Sequence, residues 1–370
     1  MFLKDLERVC KINSYTQNKE GVDEVSRVMQ EWMEKIGFET VVFKRQKIGN
    51  HTLFKSKRAE GEKILFLGHN DTVFPKGTFE EFCYDETWVY GPGVCDMKGG
   101  NIVALESLRN LYKSFGEIKN VDFFLVSDEE TGSDDSKDLT LELAKDYDYC
   151  FVFEAAGENL EVVTARKGVG TFSIEIEGRA SHSGVRYEDG IDANYEAACK
   201  LIELKKLTDL KAGTTLNVGI ISGGVGANTI SPKAKIGFEL RYTNKNERDR
   251  VLGSIDKIVK NSYEQGSRAT LSGLIQRDVM EQSEAQLEFL KKLESIVGQK
   301  IPYESRGGVS DANHVASCGV ITLDGFGPYG DGDHTTKERA LIGSFYQRIE
   351  MVSRILEHFV KNGYSFKGGL

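Results

Sequence analysis

The stretch ILFLGHNDTV (residues 64–73) joins a short apolar run to a polar cluster. Its first four residues are continuously apolar, which is typical of a strand buried on both faces of a parallel sheet. His69 and Asp71 follow directly behind that strand. The runs at 121–126 and 150–153 have the same form, each with polar residues after it. Together they predict an α/β layer whose parallel strands deliver polar side chains at their carboxyl ends.

Helical patterns surround these strands. Residues 101–112 have helical periodicity and lie between the first two apolar runs. Residues 22–36 carry apolar side chains at steps of three and four and stop at Gly37, as expected for an amphipathic helix with a C-terminal glycine. A long apolar stripe over residues 341–359 suits a helix that packs on the α/β layer.

The middle of the chain follows a different pattern. Apolar and polar residues alternate from residue 169 onward, as expected for a sheet with one face in water. Further elements are expected near residues 193–206 (helix), 216–221 and 236–240 (strands), 248–263 (helix) and 270–275 (strand). The order β-α-β-β-α-β is typical of a ferredoxin-like unit. We therefore expect one domain made of residues 1–166 and 278–370, with a small α+β domain, residues 167–277, inserted into it.

The composition argues against several classes of partner. The 370 residues include 48 Lys plus Arg and 57 Asp plus Glu, a formal net charge of -9, so no basic surface should attract nucleic acid or anionic lipid. The first residues lack the continuous apolar core of a secretory signal, and no apolar run is long enough to cross a bilayer. We expect a cytoplasmic protein whose six scattered cysteines are reduced and form no disulfide.

Five acidic or imidazole clusters lie in polar segments of the outer domain, most of them just after predicted strands. They are His69 with Asp71, Asp96, Glu129 with Glu130, Glu154, and His334. Together such groups can form a metal site. Residues two apart share one side of an extended chain, so Asp71 can orient the imidazole of His69 and fix its tautomer. Any one cluster alone is more typical of a polar loop or an acidic surface turn.

Two of these segments suggest different chemical roles. Glu129 and Glu130 in SDEETGS point opposite ways if the backbone is extended, so one can bind an ion while the other handles protons. Asp96 lies between GPGV and MKGG, where glycines allow close backbone approach, and its two oxygens can bridge two ions. Alternatively Asp96 caps the helix predicted to begin near Asn101, although four residues separate the two.

Five motifs spread over nearly the whole chain carry a family resemblance: GHNDTVFPKGT, YGPGVCDMKGG, SDEETGS, EGRASHSG and GGVSDA. They resemble the M20 family of zinc metallopeptidases, especially its glutamate carboxypeptidase branch. The resemblance implies a catalytic domain with a mixed central sheet flanked by helices, plus an inserted lid that also serves dimerisation. It further implies two Zn²⁺ ions per chain, with Co²⁺ or Mn²⁺ as substitutes.

Carried over motif by motif, the resemblance implies a role for each candidate in the outer domain. The implied metal ligands are His69, Asp96, Glu130, Glu154 and His334. Asp96 would bridge the two ions, His69 and Glu154 would complete one site, and Glu130 and His334 would complete the other. Glu129 would be the general base for a water that attacks the amide carbonyl.

The resemblance also assigns roles in the lid. His182 would stabilise the tetrahedral oxyanion, whereas Asn228 and Arg241 would hold the substrate. Arginine suits this role because its planar fork binds a carboxylate at two points. Gly308, with Gly307 beside it, would let the backbone approach the bound ligand. Related enzymes often pair through the lid, which implies a homodimer in which His182 serves the partner's site.

The implied activity is hydrolysis of the amide bond to a C-terminal, glutamate-like amino acid in a small peptide or N-acyl amino acid. Two alternatives stay within the family, namely an N-acyl amino acid deacylase and a dipeptidase. A third is a non-catalytic metal-binding scaffold, which has no need of a base such as Glu129. One departure from the family pattern is Cys95 beside Asp96, where alanine is common, and its thiol is expected to be inert because neighbouring extended side chains diverge.

Overall fold

The structure is a computed structural model that describes residues 2–367. The described chain divides into two compact units. The second unit consists of Arg166–Glu281 and Gly307–Val309, and the first contains the remainder. The boundaries predicted from the sequence, after residues 166 and 277, differ from these by a few residues, and the functional roles assigned to the two parts stay predictions.

The helices and strands are numbered in chain order. The helices are α1 (Phe2–Cys10), α2 (Lys19–Glu34), α3 (Lys98–Phe115), α4 (Ser136–Ala144), α5 (Ala193–Lys205), α6 (Lys245–Lys260), α7 (Glu284–Val297), α8 (Ala312–Ser317) and α9 (Ile342–Lys361). The strands are β1 (Glu39–Phe43), β2 (His51–Lys55), β3 (Ile64–His69), β4 (Cys83–Tyr84), β5 (Trp88–Tyr90), β6 (Val121–Val126), β7 (Tyr149–Val152), β8 (Val162–Arg166), β9 (Gly168–Glu177), β10 (Thr215–Gly223), β11 (Lys233–Tyr242), β12 (Arg268–Arg277), β13 (Tyr303–Arg306), β14 (Ile321–Leu323), β15 (Gly330–Asp331) and β16 (Arg339–Leu341). No helix within residues 2–367 has both the length and the apolar composition to cross a bilayer.

The first unit is built on a six-stranded mixed sheet with strand order β1-β2-β6-β3-β7-β14. The pairs β6–β3, β3–β7 and β7–β14 are parallel, whereas β1 and β2 are antiparallel. Strands β3, β6 and β7 are buried along their whole length, which explains their continuous apolar sequence. The predicted α/β layer is therefore confirmed, and the carboxyl ends of three adjacent parallel strands lie at one edge.

Helix α3 begins earlier than the sequence predicted. It starts at Lys98 rather than near Asn101, and Met97 is its N-cap residue. Asp96 therefore lies directly before the N-cap, and neither residue's side chain caps the helix in the described contacts. Two consecutive glycines, Gly99 and Gly100, made the start hard to predict because glycine usually interrupts helices. The cap alternative for Asp96 is thus wrong, since its carboxylate lies against imidazoles instead.

The second unit is the predicted ferredoxin-like fold. Its four strands form an antiparallel sheet with order β10-β11-β9-β12, which is chain order 2-3-1-4 within the unit. Helices α5 and α6 pack on one face, where Phe172, Ile174 and Ile176 of β9 are buried. Alternate residues of β9 face the other side and are more exposed, which accounts for the alternating sequence.

Candidate metal centre

The edge at which the parallel strands end carries three acidic or imidazole segments of the first unit. His69 is the last residue of β3, and Glu154 follows β7 by two residues. The segment after β6 folds into a 3₁₀ turn over Glu129–Thr131. The expectation that Glu129 and Glu130 lie in extended backbone is therefore wrong. Their side chains still diverge, because successive residues of a 3₁₀ turn are rotated by about 120°.

Asp96 and His334 approach the same edge from loops, and the five side chains form two triads. Asp96 Oδ1 lies 3.1 Å from His69 Nε2, which is also 3.7 Å from Glu154 Oε1. Asp96 Oδ2 lies 3.3 Å from His334 Nε2, which is also 3.1 Å from Glu130 Oε2. The ligand atoms of each triad all lie within 4.8 Å of one another. Asp96 thus presents one oxygen to each triad.

The donor set and spacing of both triads fit a divalent cation. Zinc–nitrogen and zinc–oxygen bonds of about 2.0–2.2 Å in a tetrahedron separate neighbouring ligand atoms by about 3.3–3.6 Å, close to the observed distances. Each triad offers one imidazole and two carboxylates without a thiol, and three protein ligands leave a position open. Such a donor set with an open position is typical of catalytic rather than structural metal sites.

The electrostatics of the triads also favour a bound cation. Burial and the neighbouring charge of Asp96 raise the pKa of Glu130 to about 8 and raise the pKa of Glu154 well above its ordinary value. Hydrogen bonds with Asp96 and Glu130 raise the pKa of His334 to about 11. Several carboxylates packed in a poorly solvated pocket need positive charge beside them. Divalent cations would supply that charge and displace the protons.

Asp71 connects the two triads. The Nδ1 atom of His69 lies 3.0 Å from the backbone carbonyl of Asp71 and 3.3 Å from its carboxylate Oδ1. This contact places the proton on Nδ1 and leaves Nε2 facing the triad, as a ligand requires. The other carboxylate oxygen of Asp71 accepts hydrogen bonds from the Thr16 hydroxyl, at 2.7 Å, and from the backbone N–H of Glu130, at 3.2 Å. Asp71 thus orients His69 through its backbone carbonyl, and the role of its carboxylate in fixing the imidazole stays a prediction.

Sequence reasoning missed three residues that hold this edge together. Thr16 supports Asp71 from the segment before α2, and the Asn101 side chain donates to the backbone carbonyl of His69 at 2.7 Å. Glu338 accepts hydrogen bonds from the loop that carries Asp96. None of the three had a sequence signal beyond its polarity, because each acts through a contact far along the chain.

Cys95 is buried beside Asp96. Burial, followed by the nearby charge of Asp333, raises the pKa of its thiol well above the ordinary value. The side chain hydrogen-bonds Asp333 rather than facing either triad. A neutral thiol is a poor metal ligand and a poor nucleophile, which supports the inert interpretation.

Two of the candidate lid residues lie side by side in the second unit. The backbone N–H of Ser183, next to His182, donates to the carbonyl of Asn228 at 3.0 Å. Both His182 and Asn228 are exposed. The Nδ1 atom of His182 accepts a hydrogen bond from the backbone N–H of Gly184 at 3.1 Å. In the neutral imidazole the proton is then on Nε2, which makes this nitrogen a donor.

Arg241 is oriented by a neighbour on the same strand. Its Nε and one Nη donate to the two carboxylate oxygens of Glu239 at 2.7 and 3.3 Å, and its other Nη donates to the carbonyl of Gly307 at 3.0 Å. A guanidinium has five N–H donors, so one remains on each Nη and could receive a ligand carboxylate. Next to this contact, the carbonyl of Gly308 accepts a hydrogen bond from Arg166 at 3.2 Å.

Comparisons with known proteins agree with this fold. Residues 164–267 match the M20 peptidase dimerisation domain. The chain is 28% identical over 374 residues to carboxypeptidase G2 of Pseudomonas sp. strain RS-16, covering 96% of this chain and 88% of that protein. It is 23% identical to succinyl-diaminopimelate desuccinylase of Rickettsia rickettsii, covering 96% and 99% of the two chains. The crystal structure of aminopeptidase PepT from Bacillus cereus superimposes with a TM-score of 0.82 at 20% identity, covering 97% of this chain and 98% of that one. The chain therefore carries a peptidase dimerisation domain of the M20 type and is similar over nearly its whole length to M20 metallopeptidases and amidohydrolases.

Proposed function

We propose that this chain is a two-zinc hydrolase that cuts the amide bond to a C-terminal, glutamate-like amino acid in a small peptide or N-acyl amino acid. The observation that carries the proposal is the position of Asp96, whose two carboxylate oxygens face two separate triads. The similarity to carboxypeptidase G2 supports the choice of a C-terminal residue as the leaving group. The proposed ligands are His69, Asp96, Glu130, Glu154 and His334.

Glu129 is the proposed general base. When bound, a pair of divalent cations supplies a water of lowered pKa and polarises the amide carbonyl. Glu129 takes a proton from that water while the water oxygen adds to the carbonyl carbon. It then returns the proton to the departing amine when the C–N bond breaks. Glu129 belongs to neither triad, yet its charge raises the pKa of both Glu130 and Glu154, so it lies within electrostatic reach of them.

The second unit is proposed to bind the substrate. Arg241 would grip the C-terminal carboxylate with the two N–H donors that Glu239 and Gly307 leave available. Asn228 and the backbone at Gly308 would hold the adjoining peptide group. The Nε2 donor of His182 would stabilise the oxyanion of the tetrahedral intermediate.

We further propose a homodimer formed through the second unit. The match to a peptidase dimerisation domain is the main support. Strand β10 also lies at an edge of its sheet, and Ile220 and Ile221 on it are 62% and 55% exposed. An edge strand with exposed apolar side chains is typical of a surface that pairs with another chain.

An N-acyl amino acid deacylase or a dipeptidase is the second candidate function. The similarity to a desuccinylase, which extends over almost the full length of both chains, favours the deacylase of these two. The triads would perform the same hydrolysis in each case, so the difference lies in the group bound next to the amide. Rates of the zinc-reconstituted protein on acyl-glutamates, acetyl-amino acids and dipeptides distinguish these substrates, and a preference for acyl-glutamates is expected.

The two triads predict two divalent ions per chain. We expect metal analysis after zinc reconstitution to return about two ions, and chelation to abolish hydrolysis until zinc is restored. His334→Ala removes a ligand from one triad alone and should leave one tightly bound ion. One ion or none in the wild-type protein would contradict the paired site.

Arg241→Ala should selectively weaken action on substrates with a free C-terminal carboxylate. Arg241 is only partly buried, so we expect kcat/KM to fall about 30-fold, which corresponds to about 2 kcal/mol, the typical contribution of a charged hydrogen bond. Amidating the substrate carboxylate should have the same effect on the wild-type enzyme and little further effect on the variant. Arg250→Ala, which breaks a surface ion pair on α6, is the matched control. Equal rates on acid and amide substrates would exclude Arg241 from the carboxylate site.

A further inference from the structure

The two loops that carry Asp96 and His334 leave the same small sheet. Strand β16 pairs on one side with β15 and on the other with β5. The chain after β5 forms the loop that leads to Asp96, and the chain between β15 and β16 carries His334. The residue directly before β16 is Glu338, which therefore lies where both loops are anchored.

The Glu338 carboxylate is buried and binds one of these loops through three backbone groups. Its Oε1 accepts hydrogen bonds from the N–H of Cys95, at 2.9 Å, and of Asp96, at 3.0 Å. Its Oε2 accepts a hydrogen bond from the N–H of Gly93 at 3.0 Å. The side chain is 1% exposed, so water does not replace these bonds easily. A carboxylate matches three donors because it offers acceptor sites only.

The backbone of Glu338 is tied to the other loop. Its N–H donates to the carbonyl of Thr335 at 3.2 Å, and the N–H of Thr335 donates to the carbonyl of Gly332 at 3.0 Å. The first turn, from Gly332 to Thr335, encloses His334, and the second joins that turn to Glu338. The backbone of His334 has the left-handed φ of 62°. That conformation is uncommon for a residue other than glycine and is maintained only when neighbouring contacts support it.

We propose that Glu338 is a positioning residue that sets the separation of the Asp96 and His334 side chains, and so controls metal binding at the triad that contains both. The inference rests on the proposed metal centre. Two of the three ligands of the Asp96–Glu130–His334 triad lie on the loops that Glu338 joins. Only one ligand of the His69–Asp96–Glu154 triad does. Loss of the carboxylate should therefore weaken the first triad more than the second.

Glu338→Gln tests this with little change in volume. Glutamine can accept from the N–H groups of Cys95 and Asp96 but would turn its NH₂ toward the N–H of Gly93, so two donors face each other. Titration of the metal-free proteins with Zn²⁺ against a chromophoric chelator gives two dissociation constants. We expect one constant to rise by about tenfold or more and the other to change less, in line with the usual effect of removing groups that orient metal ligands. Glu338→Asp keeps the charge but shortens the side chain, and an intermediate rise is expected.

Glu196→Gln is a matched control in the second unit. Glu196 is also 1% exposed and accepts the backbone N–H groups of Tyr263 and Glu264. Loss of the Glu196 carboxylate should lower the thermal stability of the metal-free protein without changing either zinc dissociation constant. If the Glu338 variants lose thermal stability in the same way but keep both zinc dissociation constants, the proposal is overturned. If Glu338→Gln does not fold, the zinc constants of Glu338→Asp decide the matter. A wild-type protein that binds fewer than two ions would instead overturn the metal centre itself.

Discussion

Glu129→Gln should lower kcat by about 10²- to 10⁴-fold while the protein keeps two metal ions. The amide of glutamine cannot take a proton from water, so the attack and the protonation of the departing amine both lose their catalyst. Neither triad includes Glu129, so metal binding should be preserved. The measurements are steady-state kinetics on the preferred substrate and metal content of the purified variant.

Glu130→Gln is the matched control, because it changes the neighbouring residue of the same turn. Its side chain lies 3.1 Å from His334 within a triad, so the expected result is loss of one ion together with activity. If Glu129→Gln loses an ion and Glu130→Gln keeps both, then Glu130 is the general base and Glu129 is the metal ligand. Full activity of Glu129→Gln would exclude it as the base.

Mixing His182→Ala with Glu129→Gln should restore activity that neither variant has alone. If each active site takes its base from one protomer and its oxyanion donor from the other, each homodimer lacks a component in both sites. Loss of the histidine donor should cost about 10²- to 10³-fold in kcat. Random exchange makes about half the dimers mixed, each with one complete site, which returns about one quarter of wild-type activity.

The mixing experiment requires proof that subunits exchange, for example by native mass spectrometry of differently tagged chains. The control is a mixture of two differently tagged samples of the His182→Ala variant, which should remain inactive. Exchange without recovery would mean that His182 acts within its own chain or does not contribute. A protein that is monomeric at the assay concentration would contradict the homodimer directly.

The main strands of the two larger sheets and several of the helices could be predicted because each of these has a local signal. The continuous apolar runs at 64–67 and 121–126 are buried parallel strands, and the alternation in β9 gives a sheet with helices on one face. Periodicity failed where local and tertiary preferences differ. Gly99 and Gly100 lie inside α3 because larger side chains would collide with the backbone carbonyls of Val94 and Phe153. The need for close packing therefore outweighs the low helix propensity of glycine at these positions.

The sequence by itself determined which residue types are available at the ends of the buried strands, since a strand of continuous apolar residues must end where polar groups can leave the core. It could not determine how those groups meet. Only the tertiary structure decided that the two oxygens of Asp96 face different imidazoles, one of them 27 residues away, and that Glu338 holds the Asp96 loop from 242 residues away. The same holds for Gly307, whose carbonyl accepts a hydrogen bond from Arg241 across 66 residues of chain. Hydrogen bonds depend on distance and direction in space, and residues so far apart in the chain acquire these only when the sheets and loops have packed.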